Sequence, residues 1–362
     1  MLIQVVPALP PTTSGVGDYA LALARVLRQD FALDTEFVVG NTEWQGADRV
    51  EDFRVWKLPS RSGSDLEAML ESIRIRTGSS RALLHLSIYG YAARGCPFWL
   101  VEGLRRWKAK QPDSKLVTMF HELYAFGPPW GSAFWVSRLQ RTICSRIARL
   151  SDTAVTNAYH HRETLERFDP SKRDRIPALA ITSNVGEPSL SIGLGKRLKS
   201  MVIMGQKPLR KRSYERKKNA LLEACQRLGI TEIHDVGAVF DEIPDRVGEI
   251  PVTRHGFMGA NDLSSLLSNS VAGFMDYPGR GYLAKSGVFA AYCAHGVIPV
   301  TPGDEESEAD GIGCGVHYYS VEGSQESADL AKMQSIADAA WNWYQGHSLR
   351  CHARVFADII LS

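Results

Sequence analysis

The sequence predicts an α/β protein built from two doubly wound parallel-sheet domains, and three observations predict it. Short apolar runs alternate with amphipathic helical stretches. The alternation restarts near residue 199, after a stretch of little periodicity. The chain has 362 residues, enough for about two domains. Hydrophobic residues at 44% and charged residues at 23% sit near the globular average, which excludes a disordered chain, a coiled coil and a collagen-like repeat.

The first half starts with residues 2–6 (LIQVV), an apolar run closed by Pro7 and so a buried strand. No basic flank precedes it, so it reads as a strand and not a signal peptide. The loop PALPPTTSGVGDY follows. It leads into a helix on which Leu21, Ala24, Val26 and Leu27 keep apolar spacing. Strands are expected at 36–39, 82–86, 115–120 and 153–156, with helices at about 64–77, 97–110 and 131–150. Apolar strands separated by amphipathic helices imply parallel βαβ units with both sheet faces covered. Residues 177–197 (PALAITSNVGEPSLSIGLGKR) read as the linker.

In the second half, 199–205 (KSMVIMG) is a buried strand. A basic loop and a helix at 213–228 follow it, with strands at 232–236, 252–253, 271–275 and 297–300. Pro278, Gly279 and Gly281 break the chain after the 271–275 strand. One or two helices close the chain at about 326–361, with Trp341, Trp343 and Tyr344 needing burial.

Several function classes drop out. The six cysteines are scattered without a C-x-x-C pair, which argues against a disulfide framework or zinc site and fits a reducing cytoplasm. Net charge is +2, so no nucleic acid is expected as partner. No stretch reaches the roughly 20 apolar residues of a membrane helix. No H-x-x-x-H or H-E-x-x-H spacing offers a metal site.

Ligands of doubly wound sheets bind beyond the strand carboxyl ends, often at helix N-termini, so residues just after each strand are the site candidates. Ser14-Gly15-Val16-Gly17-Asp18-Tyr19 joins strand to helix without meeting the dinucleotide fingerprint; it is a ligand loop or a tight helix entry. His121-Glu122 directly follows the 115–120 strand, and His85 ends another. His121 is either a donor to a sugar hydroxyl or a satisfied histidine under a loop. Residues 204–218 carry seven Lys and Arg against one Glu, a run suited to a diphosphate or to solvent. Lys285-Ser286-Gly287 opens an apolar helix, so it offers a cation, a hydroxyl and free amides, or simply a capped helix.

Six segments, in order, give this set a resemblance. They are PPTTSGVGDYALALARVL, TMFHELY, AITSNVGEP, MVIMGQKPLRKRSYE, GFMGANDLSSLLSNSVAGFMDYP and KSGVFAAYCAHGVIPV. They span nearly the whole chain, which resembles the retaining glycosyltransferases of family 4. The resemblance implies the GT-B architecture, two Rossmann-like domains facing a cleft. The first, 1–187, would bind acceptor; the second, 198–344, would bind nucleotide sugar; a helix at about 345–362 would pack back on the first. It also implies no cofactor beyond a nucleotide-diphosphate sugar as co-substrate.

Carried over, the resemblance puts Gly15 and Gly17 near the donor phosphates or acceptor, with Asp18, Tyr19 and Glu122 on the acceptor side. His121 would contact the transferring sugar, and Arg210 and Lys211 would grip the diphosphate, with Arg216/Lys217 as the other register. Gly205, Lys285, Ser286 and Gly287 would join the donor site, and Gly256, Phe257 and Met258 would face the base. Two glutamates usual in the family fall at Leu283 and Ala291 here. Their loss keeps a second reading open, a non-catalytic sugar- or nucleotide-binding partner of a transferase. A third feature is the basic amphipathic stretch 130–150. There Trp130, Phe134, Trp135, Leu139, Ile143 and Ile147 stand among Arg138, Arg141, Arg146 and Arg149, which suits a core helix or peripheral membrane contact with a lipid-linked acceptor.

Overall fold

A computed structural model describes residues 1–12, 14–125, 130, 132–276, 283–303, 308–323 and 329–362, with the backbone alone for 132–134. The expected breakers Pro278, Gly279 and Gly281 and the side chain of Phe134 lie outside the described residues. The chain divides into two compact units, Met1–Leu179 with Leu349–Ser362, and Ala180–Ser348.

Unit 1 runs β1 (Leu2–Val6), α1 (Gly15–Phe31), β2 (Thr35–Val39), β3 (Arg49–Val50), β4 (Phe53–Lys57), α2 (Gly63–Thr77), β5 (Arg81–Leu86) and α3 (Ile88–Tyr91). It continues with α4 (Phe98–Lys110), β6 (Lys115–Phe120), α5 (Ser132–Leu150), β7 (Thr153–Thr156) and α6 (Tyr159–Phe168). Unit 2 runs β8 (Leu198–Met204), α7 (Lys207–Glu215), α8 (Lys218–Leu228), β9 (Glu232–Val236), β10 (Arg246–Val247) and β11 (Ile250–Gly256). It ends with α9 (Ala260–Asn269), β12 (Ser270–Phe274), α10 (Gly287–Ala294), β13 (Ile298–Thr301), β14 (Tyr319–Ser320) and α11 (Leu330–Gln345). The last helix, α12 (Leu349–Leu361), belongs to unit 1.

Each unit holds one seven-stranded sheet, ordered β3-β4-β2-β1-β5-β6-β7 and β10-β11-β9-β8-β12-β13-β14. The two orders match strand for strand. Among the described residues both sheets are parallel except for an edge pair, β3–β4 and β10–β11. Alternate strand residues feed opposite faces. In unit 1, Ile3, Val5 and Leu84 pack against Leu66, Leu104 and Ile147 of α2, α4 and α5. Leu2, Leu83 and Val117 pack on the other side against Leu23 and Leu27 of α1 and Phe356 and Ile360 of α12. In unit 2, Met201, Ile203 and Ile233 meet Leu221 of α8 and Ile336 of α11, while Val202 and Met204 meet the buried run Phe289–Ala294 of α10. Burial on both faces is why the central strands carry unbroken apolar runs. Each fully buried Leu or Phe contributes about 1.5–3 kcal/mol of transfer free energy.

The expected α/β class holds, while some details differ. The β3–β4 hairpin escaped notice because its two strands are only two and five residues long and half polar. The helix expected at 213–228 is two helices, and α7 occupies most of the expected basic loop. Pro208 near its start presets a helical φ, so the charges ride on a helix. The 177–197 stretch is pinned: Leu179 N–H donates to Thr156 O at 2.7 Å, Ser183 N–H to the Tyr344 hydroxyl at 2.7 Å, and Arg197 to Ile192 O at 2.8 Å. The Trp343 ring meets Phe289 of α10 edge-on at 5.6 Å, so this aromatic cluster packs inside unit 2.

Candidate functional site

In each sheet the strand order reverses beside the first strand, between β1 and β5 and between β8 and β12. Carboxyl ends at such a switch point are where doubly wound sheets take ligands.

In unit 2, β8 ends at Met204 and Gly205 follows at φ +114°, a conformation open to glycine. A Cβ on Gly205 would stand 3.1 Å from Val288 Cγ2, so the turn lies against the first turn of α10. Ser286 caps α10, its Oγ accepting the Phe289 N–H at 3.1 Å. First-turn amides of a helix have no carbonyl partner within it, and they carry the positive end of its dipole. Half-buried Lys285 stands just ahead of them. A small pocket opens here, lined among others by Met204, Leu209, Ser213, Asp276 and Val288. Asp276 holds Arg212, with Nε to Oδ2 at 3.0 Å, and Arg212 Nη2 also donates to the Asp276 carbonyl at 2.8 Å.

Arg210 corrects an expectation. Its guanidinium is fully buried and pairs with the equally buried Asp235. Nε donates to Gly205 O at 3.0 Å and Nη2 to Ala238 O. The Tyr214 hydroxyl donates to the other Asp235 oxygen at 2.9 Å. Because α7 already runs through residue 210, its inner face carries Arg210 into the core beneath the strand ends. There it ties the turn after β8 to β9, and it also lines the small pocket. Burial pushes the Asp235 carboxyl up, against the pull of Arg210 and Tyr214. Lys211 pairs with Glu242 and, at 3.5 Å, with Glu215. Lys217 lies 3.5 Å from Glu322, and Arg216 is exposed. Farther along the edge, Gly237 N–H donates to Gly256 O at 2.8 Å. Phe257 beyond it is 86% exposed, and Met258 is half-buried.

In unit 1, the loop after β1 meets the start of α1. Ser14 caps that helix, accepting Gly17 N–H at 3.2 Å. A Cβ on Gly17 would fall 2.2 Å from Ala8 O, so glycine is required for the helix to press on the loop; Gly15 faces open space. Exposed Asp18 has its carboxyl raised by partial burial, which outweighs Arg25. Tyr19, expected on the acceptor side, is buried instead. Its hydroxyl lies 2.8 Å from His352 Nδ1 on α12, and its ring stands edge-on to both His85 and His121. The step of about 100° between successive helix residues turns Tyr19 inward toward the sheet, while Asp18 stays outside. His121 follows β6 with its ring stacked on His85, Nε2 at 3.1 Å from His85 Nδ1. Asn157, after β7, donates to His121 O at 3.0 Å, and its own Oδ1 is buried with no hydrogen-bond partner among the described residues. Glu122 is exposed.

On α5 the expected apolar stripe splits. Ile143 and Ile147 are buried, while Trp135 is 72% and Leu139 49% exposed, on the side of exposed Arg138, Arg146 and Arg149. Trp130, before the helix, is 86% exposed. Among the described residues no helix is long and apolar enough to cross a membrane, and no three His, Cys, Asp or Glu side chains gather to hold a metal ion.

The structure thus gathers Gly205, Ser286, Gly287 and Lys285 on one edge and His121 with Gly17 and Tyr19 on another. Sequence reasoning missed Gln4, Asp235, Gly237 and Asp276. Gln4 and Asp235 left a signal, a polar residue inside an otherwise buried strand. Asp276 follows a strand end, where position alone marked it.

Two such sheets, each with its reversal beside the first strand, define the GT-B fold. No family model and no curated protein matches the sequence. Solved structures do match. One is an alpha-glucosyltransferase in complex with UDP, at TM-score 0.60 and 10% identity over 100% of this chain and 99% of that one. Another is WaaG, a glycosyltransferase involved in lipopolysaccharide biosynthesis, at TM-score 0.56 and 10% identity over 99% of both chains. A third is a putative UDP-N-acetylglucosamine 2-epimerase from Listeria monocytogenes, at TM-score 0.53 and 12% identity over 98% of this chain and 94% of that one. Identity this low ties the chain to their fold.

Proposed function

We propose that the chain is a glycosyltransferase. It moves a sugar from a nucleotide-diphosphate donor to a glycan, lipid-linked or small-molecule acceptor, with retention and without a metal. The observation that carries this reading is the edge of unit 2, where Gly205 lies against the capped N-terminus of α10 with Lys285 beside it. The shared fold with a UDP-bound glucosyltransferase supports it.

In the transfer, the bond from the sugar's anomeric carbon to the phosphate oxygen breaks, and its electron pair leaves with the phosphate. The acceptor oxygen bonds to that carbon, and its proton passes to the leaving phosphate. Charge therefore grows on the phosphate, and fixed donors there lower the barrier. The amides of Gly287 and Val288, the Ser286 hydroxyl and Lys285 fill that role. Arg212, held by Asp276, takes the place expected of Arg210, and Lys211 stands further out. Gly256, Phe257 and Met258 face the base. His121 faces the transferring sugar, and Gly15, Asp18 and Glu122 border the acceptor. No side chain is assigned as a covalent nucleophile. For a lipid-linked acceptor, the exposed Trp135, Leu139 and arginines of α5 rest on anionic headgroups.

The absence of glutamate at Leu283 and Ala291 favours a second reading, a donor-binding subunit without turnover. A panel of nucleotide sugars tested by thermal shift and by transfer, each with and without EDTA, separates them. The first reading expects a donor that raises Tm and is turned over equally in EDTA. A Tm shift with no transfer supports the second, and no shift with any donor overturns both.

A further inference from the structure

The ladder between β5 and β6 ends at Leu86 and His121, where the His121 N–H donates to Leu86 O at 3.0 Å. Past these ends both chain segments run along the ligand edge of unit 1, and one residue of α5 holds both. Gln140 is fully buried on the face that also carries Ile143, Cys144 and Ile147. Its Oε1 accepts the Ala125 N–H at 2.8 Å, in the loop after β6. Its Nε2 donates to Arg94 O and to the Tyr89 hydroxyl, each at 3.0 Å, in the segment after β5. The packing there is close, since a Cβ on Gly95 would fall 2.7 Å from Gln140 Nε2. One turn further along α5, the Cys144 thiol donates to Leu123 O at 3.0 Å. Burial pushes that thiol up to about 12, so it keeps the proton it donates.

Donor counting fixes how the carboxamide lies. A backbone N–H only donates and a carbonyl oxygen only accepts, so Oε1 faces Ala125 and Nε2 faces Arg94. Turning the group over would break both bonds. A buried carboxamide costs free energy unless its hydrogen bonds are made, and a Met of similar volume would fill this apolar face without that cost. What the carboxamide adds is direction, because it sets the loop after β6 against the segment after β5. Burial alternates along that loop, with His121 and Leu123 buried and Glu122 exposed between them. The carbonyls on either side of Glu122 are both held, His121 O by Asn157 and Leu123 O by Cys144. We infer that Gln140 is a positioning residue for the acceptor edge, fixing where His121 and Glu122 stand relative to the chain beyond β5. This deepens the reading of His121 and Glu122 as sugar- and acceptor-facing groups, and it rests on that reading.

Hydrogen exchange and kinetics on the full chain test it. In wild type the amides of 123–125 are expected to exchange slowly, although they lie outside strand and helix. Gln140→Met keeps the volume and loses the bonds. It releases 123–125 and lowers kcat roughly 10- to 100-fold, the cost of a small misplacement of reacting groups. Gln140→Glu mimics the carboxamide while its buried carboxyl is protonated, one oxygen accepting from Ala125 and the acid O–H donating to Arg94 O. Its kcat relative to wild type therefore approaches one at the acid end and falls as pH rises. UDP affinity, a property of unit 2 on the proposed reading, stays unchanged in both variants. A role in packing alone predicts a lower Tm with normal kcat per folded molecule, and that result overturns the inference. Fast exchange at 123–125 in wild type overturns it too, as does unchanged exchange in Gln140→Met or a Gln140→Glu ratio that does not fall with pH. The wild-type exchange and the Gln140→Glu profile decide even where Gln140→Met does not fold. If wild type turns over no nucleotide sugar, the transferase reading falls, while exchange at 123–125 in wild type and Gln140→Met decides the positioning by itself.

Discussion

Below the strand ends of unit 1 the fold places a buried ladder of Gln4, His85 and His121; at the end of β8 it places glycine, a helix N-terminus and cations. The strand order is the same, so the difference lies in the side chains and in the segments that follow the strands. The first edge suits hydroxyl groups, which need directed hydrogen bonds. The second suits an anion, which needs amides and positive charge. Each edge also has a buried polar tie, Gln4–His85 between β1 and β5 in one and Arg210–Asp235 between α7 and β9 in the other. A basic run can therefore supply scaffold as well as ligand contacts, and burial sorts the two.

The sharpest way to break this sorting is Arg210→Ala. It leaves Asp235 buried without its cation and should cost unit 2 about 3–5 kcal/mol. Pairing Arg210→Met with Asp235→Leu should restore most of that, read by urea unfolding. An Arg210→Ala protein of normal stability that no longer binds donor would put Arg210 back among the ligand contacts. Lys285→Ala should do the opposite, leaving Tm near wild type while removing about 2–4 kcal/mol of transition-state stabilisation, read from kcat/KM. On the other edge, His121→Ala should lower turnover on the order of 10²-fold with little loss of Tm. Lower stability with normal turnover per folded molecule would make His121 a core residue.

Smaller effects sharpen the same contrast. Tyr19→Phe loses the bond to His352 and should cost unit 1 about 0.5–1.5 kcal/mol without changing donor affinity. Acidification should weaken unit 1 through His85. Its folded pKa lies below the unfolded value, so the unfolded chain binds more protons as pH falls. That contribution is constant above the unfolded pKa near 6.5 and is lost below it, about 1 kcal/mol between pH 6.5 and 5.5. His234, His295 and His317 are shifted down by burial as well, so a His85→Phe variant should flatten the curve only in part.

Much of the fold was legible because buried strands such as residues 2–6 and 115–120 carry apolar runs that only a covered parallel sheet explains. The edge positions His121, Gly205 and Ser286 were legible for the same reason, since each follows or precedes such an element. Orientation was not. Nothing in RKRSYERKK says that Arg210 points inward while Arg216 points out. That depends on α7 starting at Lys207 and on Asp235, 25 residues away, waiting for a cation. Tyr19 was misread likewise, because its partner His352 lies 333 residues on, in a helix of unit 1 contributed by the chain's end. Pairings between distant segments leave no local pattern.

On the reading proposed above, the diphosphate belongs to the edge of unit 2. Hydrogen exchange of the full chain with and without saturating UDP tests it most directly. Slowed exchange is expected at 205–209, 256–258 and 286–289, with 82–86 and 115–121 unchanged. Slowed exchange confined to the strand ends of unit 1, with 205–209 and 286–289 untouched, would contradict it.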